Sequence, residues 1–177
     1  SEVFSKNPQI NWLSFARVFL FGARDVWFVV GIPIYFYAVL SDGTKAGTQT
    51  AFFAIGIFMA IWIILYGLVQ ANAPRLLRAK QRGQGALIKD SATWVLGLAV
   101  VPAVLALVLY LTVSPTSVTT SVLVIGLLLF GAVFAVNSAL HSYLILAFTD
   151  SERVTMDVGF YYMSNAAGRL LGTILSG

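Results

Sequence analysis

Residues 50–73 read TAFFAIGIFMAIWIILYGLVQANA, and residues 74–90 continue PRLLRAKQRGQGALIKD. The first stretch carries no Asp, Glu, Lys or Arg. Its apolar residues neither alternate with polar ones nor keep to a stripe, so a helix built from it is apolar on nearly every face. At about 1.5 Å rise per residue, about 20 such residues cross the hydrocarbon core of a bilayer. The second stretch holds Arg75, Arg78, Lys80, Arg82 and Lys89, five of the eleven Lys/Arg in the chain. An apolar span followed by a short basic loop is the pattern of a transmembrane helix entering the cytoplasm under the positive-inside rule.

Working outward, the same apolar character recurs. Five candidate spans are predicted, at 12–40, 50–73, 92–113, 118–148 and 156–177, and the long first and fourth should tilt or extend past the bilayer. Ser41-Asp42-Gly43 and Ser114-Pro115 break the chain after the first and third, and Pro74 follows the second, where a helix commonly stops. Pro33 and Pro102 fall inside spans, where neighbouring helices tolerate a kink. With the 75–89 loop inside, loops 41–49 and 114–117 lie outside. The N-terminal leader with Lys6 and loop 149–155 lie inside.

Composition agrees. Hydrophobic residues make up 59% of the 177 and charged residues 10%, against about 25% in soluble domains, which leaves little to cover a surface in water. The net charge of +4 is concentrated in a loop, not spread over a face with interleaved aromatics, which argues against nucleic acid as a partner. Cysteine is absent, which excludes disulfides, thiolate metal sites and a cysteine nucleophile. One His, no HExxH, no Gly-rich phosphate loop and no paired carboxylates leave neither catalytic residues nor a cofactor or metal site to nominate. The chain starts at Ser1 without a signal peptide and stops at Gly177 within an apolar run, and both ends read as cuts in a longer polypeptide.

Polar residues at membrane depth carry the functional signal, because a charge there costs at least ~2.5 kcal/mol and needs a partner or an aqueous cavity. Span three is apolar except near its ends and reads as a support helix. Span one holds Arg17, Arg24 and Asp25, span four Asn137 and His141, and span five Tyr161, Tyr162, Asn165 and Arg169. Arg24, Arg169 and Asn137 each lie roughly 12–13 residues, about 18–20 Å, from the cytoplasmic end of their spans, which predicts one polar layer near the midplane. Arg17 and Arg24 share a face of one helix, as do Asn137 and His141, and Asn165 and Arg169. Such a layer is net basic and suits an anionic ligand. The structural alternatives are an Arg24–Asp25 ion pair between helices, His141 as an interhelical hydrogen bonder, Tyr161-Tyr162 as packing aromatics, and Arg17 reaching to the inner interface. Gly168-x-x-x-Gly172 with Ala167 predicts a close helix–helix contact and no chemistry.

This arrangement resembles the C-terminal half of a major facilitator superfamily transporter, the five spans corresponding to its helices seven to eleven, with the apolar third span on the supporting helix nine. The stretch from Asn11 to Val30, with Arg17 and Gly22-Ala23-Arg24-Asp25, resembles helix seven of the organoarsenical efflux permeases of the ArsJ type. Asp157-Val158-Gly159-Phe160-Tyr161-Tyr162-Met163-Ser164-Asn165-Ala166-Ala167-Gly168-Arg169 resembles their helix eleven, and Tyr66-Gly67-x-Val69-Gln70-Ala71 also fits. The Gly-x-x-x-Asp-Arg loop motif of the superfamily is not kept at 71–83, where no acid occurs. The resemblance implies an all-α, multi-pass inner-membrane protein, without the first half and last helix. It implies export of 1-arseno-3-phosphoglycerate, which glyceraldehyde-3-phosphate dehydrogenase makes from arsenate, and hence arsenate resistance. Arg24 and Arg169 are then expected to clamp the anion, Asn165, Asn137, Tyr162 and Arg17 to help bind and orient it, and Asp25 or His141 to carry any coupled proton. An exporter of another phosphorylated or carboxylated metabolite, and a non-transporting membrane assembly subunit, remain the alternatives.

Overall fold

In the computed structural model residues 4–112 and 116–177 are described, and all regular structure among them is helical. The elements are α1 (Pro8–Phe28), α2 (Gly31–Leu40), α3 (Lys45–Leu76), a 3-10 turn (Ala79–Gln81), α4 (Gln84–Tyr110), α5 (Ser117–Phe148) and α6 (Val154–Ser176). Each predicted span falls largely on helix. Ser1, Val113 and the Ser114-Pro115 breaker lie outside the described residues.

Several boundaries differ from expectation, three of them for local reasons. The first span is two helices, interrupted at Val29–Val30. Pro33 has no N–H to offer the carbonyl four residues back, so the ladder lapses there and resumes with the Ile34 N–H on the Val30 carbonyl at 3.1 Å. Pro74 does not end the second span but lies inside α3, since proline obstructs only the preceding turn; the Leu77 N–H still reaches the Ala73 carbonyl at 2.9 Å. The second helix also begins earlier, at Lys45. There Thr44 accepts from the Gly47 N–H at 3.0 Å, and Asp42 accepts from the Thr44 N–H at 2.9 Å and its hydroxyl at 2.7 Å.

Four helical stretches among the described residues are long and apolar enough to cross a membrane: Pro8–Leu40, Lys45–Gln81, Gln84–Tyr110 and Ser117–Phe148. α6 is helical throughout but more polar and does not join them. α3 leaves Phe52, Ile57, Ile64 and Leu68 more than half exposed, a distribution suited to lipid rather than water.

The chain divides into two compact units. The first contains residues up to Ile55 with His141–Gly177, and so α1, α2, the start of α3, the end of α5 and α6. Its centre is α1 against α6. Their facing residues recur at helical spacing: Ile10, Leu13, Ser14, Arg17, Phe21, Asp25 and Phe28 on α1, and Asp157, Tyr161, Ser164, Gly168 and Gly172 on α6. The second unit, Gly56–Leu140, packs α3, α4 and α5. Trp62 is its anchor, donating Nε1–H to the Leu127 carbonyl at 2.8 Å while its ring stacks on Tyr66 and lies over Gly131.

Candidate functional site

Glycine sets the geometry of the first unit. A Cβ on Gly172 would lie 2.7 Å from the Gly22 carbonyl oxygen and 3.0 Å from the Val26 nitrogen, and one on Gly168 would collide with the Val18 carbonyl. The predicted small-residue contact therefore exists, and its partner is the backbone of α1. The same approach sets the Asp25 side chain directly over Gly172, within reach of Arg169 three residues earlier on α6.

Asp25, 1% exposed, is gripped from both sides. Its Oδ1 accepts from Arg24 Nε at 2.5 Å and its Oδ2 from Arg169 Nε at 3.0 Å. The Arg24 side chain is 12% exposed and that of Arg169 60%. This clasp ties α1 to α6 across 144 residues of sequence. Two turns closer to the N-terminus of α1, Arg17 Nε donates to Asn165 Oδ1 at 2.5 Å. Its guanidinium lies 4.5 Å from the ring centres of both Phe21 and Tyr161, and the Arg24 guanidinium lies 4.8 Å from the same Phe21 ring centre. Phe21 thus serves two cations with one ring. Three guanidiniums and one carboxylate give this cluster a formal net charge of +2.

The predicted site residues divide accordingly. Arg17, Arg24, Asp25, Asn165 and Arg169 are brought together in one unit. Arg17 departs from the structural alternative in which it reaches to an interface: it is 2% exposed, with Asn165 and two aromatic rings in place of water. Tyr162 is exposed, on the same side of α6 as Asn165, Arg169 and Thr173; the tyrosine on the arginine is Tyr161, whose hydroxyl lies 3.3 Å from Ser142 Oγ. His141 is buried, and its Nδ1 has no hydrogen-bond partner among the described residues. Asn137 belongs to the second unit. It is fully buried there, accepting from the Ser91 hydroxyl and donating to the Ser91 carbonyl, both at 3.1 Å. Ser91 was missed because it lies one residue before the predicted start of span three, while α4 already begins at Gln84. Phe21 was missed although its spacing from Arg17 and Arg24, four and three residues, places it between them on one helix face.

Comparison with protein-family models, with curated proteins and with solved structures returns no match to this chain.

Chemically, the cluster presents a fixed cation beside a polar stripe. Arg169 is anchored through Nε alone, and its two terminal nitrogens have no partner among the described residues. Guanidinium held this way is suited to a phosphate or carboxylate, which takes two parallel N–H donors.

Proposed function

We propose that this chain is the basic, substrate-facing part of a multi-pass membrane exporter of an anionic metabolite, with 1-arseno-3-phosphoglycerate as the substrate and arsenate resistance as the outcome. The observation that carries the reading is Arg169: pinned to a buried carboxylate at one nitrogen, yet 60% exposed, on the same stripe as Asn165 and Tyr162. α6 is then a fifth span whose polar face borders water, which accounts for its lower apolarity. Arg169 binds the anionic group, Asn165 and Tyr162 orient it, and Arg24 and Arg17 supply positive potential from behind. Asp25 holds both flanking guanidiniums in place, and His141 is the residue left for any coupled proton. The substrate assignment, the inner-membrane location and the link to glyceraldehyde-3-phosphate dehydrogenase are supported by the resemblance of α1 and α6 to the organoarsenical efflux permeases. The correspondence to helices seven to eleven has the same support.

Uptake into everted vesicles carrying the full-length polypeptide tests this, with arsenate, glyceraldehyde-3-phosphate, NAD and the dehydrogenase outside. Dehydrogenase-dependent accumulation is expected, falling about tenfold to a hundredfold in Arg169→Ala, the worth of one hydrogen-bonded charge. Equal accumulation without the dehydrogenase would remove the organoarsenical. A second reading, in which the charges only hold helices together, is favoured by the neutralising clasp at Asp25 and the Asn137–Ser91 pair. In this cysteine-free chain, Arg169→Cys and Tyr162→Cys react with a membrane-impermeant thiol reagent, and substrate protects them, if the stripe borders a transport cavity. Absence of labelling at both leaves the structural role.

A further inference from the structure

The connection between α3 and α4 is basic, exposed and ordered. Beyond α3 the Arg78 N–H bonds the Arg75 carbonyl at 3.1 Å, and Arg78 takes a left-handed conformation with φ 51°. The 3-10 turn is then closed by the Gln81 N–H on the Arg78 carbonyl at 2.9 Å. Ala79 is buried under this turn, while Arg75, Arg78, Lys80 and Arg82 are exposed around it.

The five cations of this segment are not equivalent. Arg82 makes a two-pronged ion pair with Asp90 near the start of α4 and is neutralised there. Arg75, Arg78, Lys80 and Lys89 have no carboxylate partner among the described residues. Beside Arg75 stands Leu76, 74% exposed. Unpaired cations and a bare leucine therefore share the junction of two helices, each apolar enough to cross a bilayer. That junction lies where a span leaves the hydrocarbon, at the depth of lipid headgroups.

We propose that this loop is a binding site for anionic phospholipid, with Arg75, Arg78 and Lys80 on the phosphate and Leu76 against the acyl chain. The leucine decides between a lipid and a soluble phosphate, because only an acylated ligand gains from covering it. Charge decides between anionic and zwitterionic lipid, since each Lys or Arg near an anionic surface strengthens association roughly fivefold. The proposal concerns the second unit alone and is independent of what the chain transports.

Detergent-purified protein is offered phosphatidylglycerol and phosphatidylcholine with identical acyl chains, and bound lipid is read by native mass spectrometry. The wild type retains phosphatidylglycerol preferentially. Arg75→Gln/Arg78→Gln/Lys80→Gln lowers that preference on the order of a hundredfold, three charges at about fivefold each. Arg82→Gln/Asp90→Asn, which deletes a neutral pair, keeps it. Should the triple variant not fold, Arg78→Gly removes one charge at a position whose left-handed backbone glycine favours, and the expected loss is about fivefold. No preference in the wild type, or a preference untouched by the charge deletions, overturns the proposal. So does displacement of the lipid by millimolar glycerol phosphate as readily as by phosphatidylglycerol, since the leucine would then contribute nothing.

Discussion

Replacing Asp25 separates the two arms of the clasp, because its arginines differ in their access to solvent. Asp25 is 1% exposed and accepts one charge-assisted hydrogen bond from each. Breaking a buried ion pair by removing one partner costs about 3–5 kcal/mol, since the other charge stays behind in a low dielectric. Arg24, at 12% exposure, is the more buried of the two, and the Phe21 ring 4.8 Å away is among the contacts it keeps, which sets Asp25→Ala near the lower bound, about 3 kcal/mol. Arg169, at 60% exposure, is screened, and its half of the clasp contributes at most about 1 kcal/mol. Two double-mutant cycles follow, pairing Asp25→Ala with Arg24→Leu or with Arg169→Leu. Unfolding by sodium dodecyl sulfate in mixed micelles, read by the fluorescence of Trp12 and Trp27 on α1, supplies the energies. The Asp25–Arg24 coupling should be about 2 kcal/mol and the Asp25–Arg169 coupling below about 1 kcal/mol. Equal couplings, or the reverse order, would refute burial as the determinant.

Glycine positions offer a matched comparison in the same assay. Gly172→Ala should destabilise by about 1–3 kcal/mol, because its methyl group meets α1 backbone, whereas Gly159→Ala, with open space around it, should be neutral or stabilising by up to about 1 kcal/mol. At the start of α3, Thr44→Ala should cost about 1 kcal/mol of helix stability through the lost cap to the Gly47 N–H, measured by amide exchange. Thr44 also holds the Asp42 carboxyl below its usual value of 3.8, through its hydroxyl first and its backbone N–H second. A carboxyl lowered in the folded state stabilises above its unfolded value and loses that contribution as pH falls through the folded one. The Asp42 turn should therefore persist at pH 4 and loosen only on further acidification, with the Thr44 amide resonance reporting the midpoint; loosening above pH 4 would contradict the contact.

Helices were legible because the apolar runs are long and nearly free of charge, and tertiary packing had little left to decide there. Their edges were less so: Pro33 announced a disturbance, but not whether the helix would bend or lapse at Val29–Val30. Spacing within one helix was also informative, and part of it went unused. Tyr161 is seven residues before Gly168 and Tyr162 seven before Arg169, so the face that packs on α1 already held the first and excluded the second. Partners across helices were not legible. Depth along a span placed Asn137 level with Arg24 and Arg169, yet depth carries no direction around the helix axis, and Asn137 meets Ser91. Nor did any local signal join Asp25 to Arg169, since the close approach that joins them needs Gly22, Gly168 and Gly172 together.

The distance along the chain between the halves of the clasp also sets an order of events during synthesis. Asp25 is made 144 residues before Arg169, and Arg17 148 residues before Asn165. At translation rates of 5–20 residues per second, α1 waits roughly 7–30 s for the helix that completes it. Trp62 and Leu127, by contrast, are 65 residues apart, and Ser91 and Asn137 only 46, so the second unit acquires its polar contacts while α1 still lacks Arg169 and Asn165. Through that interval a helix with two arginines and an aspartate on it has to be sheltered by the insertion machinery or held near the water interface. α6, made long after α1, supplies the partners that allow it to settle.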